Sequence, residues 1–182
     1  MSKHALPGFS KLKENYPTDP DSARVIQELG GGLTDSWVGP NSCVMRMSKA
    51  FNYAGKAHEV PQNRKGLLAV KGKDGKNYAI RVLEFIEYLH THYRVPDMVK
   101  TGSDMNAESF SGKQGIIAWL IDGWKDARGH FTLWDGSQGL FVGGHNYFAD
   151  FGGSAPKNVP HMVKIEFWTL SNATTVPSRP PT

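Results

Sequence analysis

The chain has one cysteine in 182 residues, Cys43, so no intrachain disulfide can hold it and its stability has to come from packing. A zinc site built from paired cysteines is excluded by the same count. Long apolar runs are missing too. The opening residues, Met1-Ser2-Lys3-His4-Ala5-Leu6-Pro7-Gly8-Phe9, lack the apolar core of a secretory signal, and no later stretch reaches the length of a membrane span. The expectation is a protein made in the cytoplasm without a signal peptide and not inserted into a membrane. Charge of one sign is scarce as well. The formal net charge is only +4, with lysines scattered instead of gathered in a stripe, which excludes the electrostatic footprint of a nucleic-acid binder.

What is present is a globular composition with 20 glycines and five tryptophans, pointing to many turns and an aromatic-rich core or groove in one domain. The domain is placed at 21–172, after an N-terminal extension at 1–20 and before a proline-rich tail at 173–182 read as disordered. A short helix is expected over 21–29, capped by Asp21 or Ser22 and stopped by Gly30-Gly31-Gly32. That glycine run follows a helix and lacks the Gly-Lys-Ser/Thr ending, so it is no phosphate loop. A second helix spans 42–53, with Val44, Met47, Ala50 and Phe51 on its core face. Asp74-Gly75 marks a hairpin turn, and a third helix over 82–92 ends before Pro96. His90 and His92 near its end read as cations favoured by the helix dipole. From Gly112 the pattern turns to strands at 115–121, 130–134, 146–148 and 162–170. The result is an α+β fold, N-terminal helices packed on a central antiparallel sheet.

Two residues stand out within that frame. Pro40-Asn41-Ser42 is a turn and cap cluster, which puts Cys43 in the first turn of its helix, where unpaired backbone N–H groups favour a thiolate. A free cysteine is otherwise a small, inert hydrophobe of the core. A nucleophilic thiol also needs a base, and His130 opens a strand-like run, Gly129-His130-Phe131-Thr132-Leu133-Trp134-Asp135-Gly136. Alternation sends His130, Thr132 and Trp134 one way and Phe131, Leu133 and Asp135 the other, with His130 expected to point toward the Cys43 helix. The pairing indicates a thiol hydrolase. Neither spacing nor chemistry calls for a metal or another cofactor.

The residues Asn41-Ser42-Cys43, Arg46-Met47-Ser48, Asn52, Gly115-Ile116-Ile117, Gly123-Trp124, Ala127-Arg128-Gly129-His130 and Leu133-Trp134-Asp135-Gly136 together resemble the fourth family of type VI secretion amidase effectors. That family is a branch of the NlpC-type papain-like fold, and the similarity runs over roughly 38–170. The resemblance implies an antibacterial toxin delivered by the type VI secretion machinery into the periplasm of a target bacterium. There it would cleave peptidoglycan stem peptides between D-glutamate and meso-diaminopimelate, and a periplasmic immunity protein would protect the producer. Cys43 would be the nucleophile and His130 the general base and acid.

The third catalytic group departs from the family pattern. Some members carry an aspartate eleven positions beyond the histidine, and here that position is Phe141. His145, just before the next apolar run, is the orienting group implied in its place. Asp135 is the alternative, disfavoured by strand parity and also explained as the first residue of an Asp-Gly turn; Asp150 is a further choice. Trp124, Arg128, Trp134 and Tyr147, close in sequence to His130, are the substrate-groove candidates. Two other readings share the scaffold: a catalytically inactive wall-binding module, and a thiol hydrolase or acyltransferase acting on another amide.

Overall fold

Residues 4–124, 128–138, 140–142, 148 and 159–172 are described in the computed structural model. Four helices lie in the first half of the chain: α1 (Phe9–Asn15), α2 (Ser22–Leu29), α3 (Cys43–Tyr53) and α4 (Val82–Tyr88). A hairpin of β1 (Ala69–Lys71) and β2 (Asn77–Ala79) sits between α3 and α4. The main sheet contains β3 (Met98–Lys100), β4 (Gln114–Asp122), β5 (Gly129–Asp135), β6 (Leu140–Val142) and β7 (His161–Thr169). These five are antiparallel, in the order β3-β7-β4-β5-β6.

The sheet is covered on both faces, which is why the apolar run of β4 is nearly continuous instead of alternating. On one face Ile116, Ala118, Phe131, Leu133 and Trp168 pack with residues of α1, α3 and α4. On the other, Ile117, Trp119, Trp134, Ile165 and Phe167 pack with Phe110 and Met162. Helix α2 makes a smaller core of its own, Val25, Ile26 and Leu29 against Leu33, Met45 and Tyr78. Asp21 caps it as expected, accepting the N–H groups of Ala23 and Arg24.

Two expectations change, and a third lies almost wholly outside the described residues. Of the segment read as an extension, the described part, 4–20, packs with the domain, because α1 and the residue after it bury Phe9, Leu12 and Tyr16 in the helix-side core. The end of the third predicted helix is a π-helical turn, Leu89–Tyr93, with His90 and His92 in its last turn, where they also make tertiary contacts. His90 Nε2 meets Glu166 Oε2 on β7 at 2.8 Å, and His92 stacks on the rings of Tyr88 and His4 at 5.0 and 4.5 Å. The strand expected at 146–148 falls outside the described residues except for Phe148, which packs on the face opposite the helices. The tail at 173–182 lies outside them as well.

Candidate active site

Cys43 is the first residue of α3, as its cap cluster implies, and it is 8% exposed. The helix start is anchored by Arg46, a buried arginine one turn further on. Its Nε donates to Ser42 Oγ at 2.9 Å, Nη1 donates to the Pro17 carbonyl at 3.0 Å and also to that of Asp19, and Ser42 Oγ donates to Ser22 Oγ at 2.9 Å. The Ser42 side chain therefore holds Arg46 and α2 instead of capping the helix N–H groups. Further along, Ser48 Oγ accepts the Ala79 N–H at 3.0 Å, and Asn52 bridges the Asn77 carbonyl and the Val60 N–H, each at 2.8 Å. These polar positions interrupt the apolar stripe of α3 because they tie it to β2, whose continuation forms the wall in front of the thiol.

The sulfur meets the sheet at its edge. A strand residue turns its N–H and C=O to the same side. The Phe131 carbonyl accepts the Tyr16 hydroxyl at 3.5 Å, away from β4, and the Phe131 N–H is directed at the Cys43 sulfur. Among the described residues, pairing of β5 with β6 begins at Leu133, and α3 abuts β5 beside Phe131. Burial pushes the thiol pKa above its ordinary value. The N–H groups of Phe131, Val44 and Cys43 and the charge on Arg46 oppose that shift without cancelling it.

A cavity of about 480 Å³ opens beside the sulfur. Asn41, Cys43 and Val44 form one side, Ile80 to Glu84 another, and Arg128 with Gly129 the third. Arg81 and Glu84 pair at 2.9 Å. Arg128 is largely exposed and reaches Asp122 only at 4.0 Å. Of the expected site residues, the structure thus gathers Cys43, Arg128 and the backbone of 129–131.

The alternation expected along β5 is present, but its sense is reversed. Phe131 and Leu133 face the helices, while His130 lies across from Trp119 with ring centroids 5.7 Å apart, on the opposite face. The imidazole leaves the backbone one residue before the amide that touches the sulfur.

Trp134 is not a groove residue. It is buried, with Nε1 donated to the Phe110 carbonyl at 2.9 Å, so no substrate can touch it. Trp124 packs against that same opposite-face core. Asp135 lies on the helix face and accepts from Gln114 Nε2 at 3.0 Å, Ser137 Oγ at 2.6 Å and Lys13 Nζ at 3.3 Å. Those donors hold its carboxyl below the usual range despite burial, and its carbonyl accepts the Gln138 N–H at 3.1 Å, the turn role proposed for it. His145, Tyr147 and Asp150 lie outside the described residues. Among those described, no group of three or more histidine, cysteine, aspartate or glutamate side chains is placed to hold a metal ion, and no helix is long and apolar enough to cross a membrane.

Arg81 and Glu84 are the site residues that sequence reading misses. Their signal was an Arg-x-x-Glu pair opening an apolar helix, which taken alone is an ordinary surface ion pair.

The model of the type VI secretion system amidase effector protein 4 family, Tae4, matches residues 40–168. No curated protein sequence matches the chain. Among solved structures, the type VI effector Tae4 from Enterobacter cloacae superposes with a TM-score of 0.74 at 28% identity, over 93% of this chain and all of that one. The E. cloacae Tae4 in its complex with the immunity protein Tai4 gives 0.69 at 30% identity, over 91% and 99%. The Salmonella typhimurium Tae4, bound to the E. cloacae Tai4, gives 0.72 at 27% identity, again over 91% and 99%. The helices on an antiparallel sheet are the papain-like fold of those proteins, and the chain belongs to the Tae4 family of type VI secretion amidase effectors.

Proposed function

We propose that this effector is a cysteine amidase that hydrolyses the γ-D-glutamyl–meso-diaminopimelate bond of peptidoglycan stem peptides, with Cys43 as nucleophile and His130 as its base. The observation that carries this reading is the position of the sulfur. It lies in the first turn of α3, ringed by backbone N–H groups, at the rim of a cavity large enough for a peptide segment. Family membership supplies the amidase chemistry, and Cys43 is the chain's one cysteine.

The raised thiol pKa sets the order of events. As the sulfur attacks the γ-carbonyl, its proton passes to His130, and the carbonyl oxygen takes up negative charge near the helix-start N–H groups. The C–N bond breaks as His130 returns the proton to the leaving amine, giving a thioester. Water then attacks the thioester, giving up one proton to His130, and the thiol is regenerated. His145 is the proposed orienting group for the imidazole.

In this reading the protein is carried by the secretion machinery into the target periplasm. The relatives' complexes with Tai4 support a cognate immunity protein for this effector. The test is mass spectrometry of Gram-negative peptidoglycan digested by the protein and by Cys43→Ala. Products cut between D-glutamate and diaminopimelate, absent with the variant, are expected. Intact muropeptides would favour a wall-binding module, and equal cleavage by Cys43→Ala would remove the thiol from the mechanism.

A further inference from the structure

The cavity beside Cys43 has two guanidinium groups on its walls, and among the described residues only Arg81 makes a close ion pair. Arg81 is committed to Glu84 at 2.9 Å, and Glu84 is committed in turn to the Leu68 N–H at 2.6 Å. That pair closes on itself. Arg128 has its head in solvent, 70% exposed, and meets Asp122 only at 4.0 Å, the outer limit of an ion pair. Its backbone is nevertheless firmly placed. The next residue, Gly129, lies so close to β4 that a Cβ there would stand 2.2 Å from the Trp119 carbonyl oxygen. An exposed cation on a fixed stem, opening onto the nucleophile, fits an anionic ligand group that arrives with the substrate.

The chemistry of the scissile bond supplies such a group. A γ-glutamyl amide uses the side-chain carboxyl for its link, so the α-carboxylate of that residue stays unlinked, a few bonds from the carbonyl under attack. Every acidic γ-glutamyl substrate carries it on the acyl side, whatever amine follows. The geometry points to Arg128 as the residue that reads this free α-carboxylate, making the enzyme selective for stem peptides with an acidic glutamyl residue over those in which that carboxyl is amidated. The inference rests on the γ-glutamyl reading above.

The test compares kcat/KM on two synthetic stem peptides, L-alanyl-γ-D-glutamyl-diaminopimelate and its counterpart with the α-carboxylate converted to carboxamide. The unmodified protein is expected to favour the acid by about tenfold or more. Arg128→Gln should bring that ratio close to one, chiefly through the KM for the acid, and Arg128→Lys should restore part of it. Arg81→Gln, whose guanidinium is already taken, should keep the ratio. Thermal melting checks that each variant is folded. The inference is overturned if Arg128→Gln retains the discrimination, if the unmodified protein shows none, or if the ratio that Arg128→Gln alters is instead the one set by amidating the diaminopimelate carboxyl. Cleavage of neither peptide by the unmodified protein overturns the γ-glutamyl reading itself, a separate failure visible before any variant is made.

Discussion

Arg46 is a charge held almost out of water with carbonyl and hydroxyl oxygens, and no carboxylate, as its acceptors. Replacing it by methionine keeps the volume but strands three acceptors at the start of α3, at a cost of about 3 kcal/mol. Arg46→Met should therefore lower the melting temperature and reduce activity together, since the anchored element carries the proposed nucleophile. Arg46→Lys should recover only part of both, because the planar fork is lost. Asp135 makes a different prediction. Its folded pKa lies below the unfolded value, so the stability it contributes is present above an unfolded pKa of about 3.9 and lost as pH falls through the folded value. Urea denaturation should show Asp135→Asn destabilised at neutral pH, by about 1–3 kcal/mol, with the gap closing in strong acid. In activity assays, Asp135→Ala should cost less than His145→Ala. For Cys43 the expected signature is alkylation by iodoacetamide that rises with pH through a midpoint above the ordinary thiol value of about 8.5. A midpoint near neutrality would mean that thiolate and imidazolium are already paired in the resting protein.

At the scale of elements, the placing of a side chain depends on strand parity and on where neighbouring backbones touch. Gly129 has no room for a methyl group against the Trp119 carbonyl, and the obstacle is backbone that cannot step aside cheaply. Gly129→Ala should thus splay β5 from β4 at the point that presents both His130 and the Phe131 N–H, and lower kcat more than stability. Comparison of turnover with thermal melting checks this. Alternation along β5 was legible because period two is intrinsic to a strand. Which face would meet the helices was not, because 130, 132 and 134 carry His, Thr and Trp while 131 and 133 carry Phe and Leu, and both faces of this sheet are buried. Trp134 read as a groove residue for the same reason. Cys43 at a helix start was legible, since Pro40-Asn41-Ser42 and the apolar spacing after it agree. The role of Ser42 was not, because its partner Arg46 is recognisable only once the loop carbonyls of Pro17 and Asp19 are in place.

At the scale of the whole molecule, the helix-side core spans the chain from Phe9 to Leu170, so its first segment is structural. Helix α1 escapes sequence reading because its seven residues carry Lys11, Lys13 and Glu14 among only two buried positions. Leu12→Ala should cost about 2–5 kcal/mol in urea denaturation, as much as a deletion in the centre of the sheet. An exposed extension would give almost nothing.

The burial of Cys43 has one more consequence. Peroxide and disulfide reagents attack the thiolate, and they need access to it. A nearly covered sulfur offers them little access, so on the proposed mechanism an enzyme that works through one reduced cysteine can persist in an oxidising compartment such as the bacterial periplasm. On that mechanism the covering of the sulfur makes the toxin chemically durable where it is delivered.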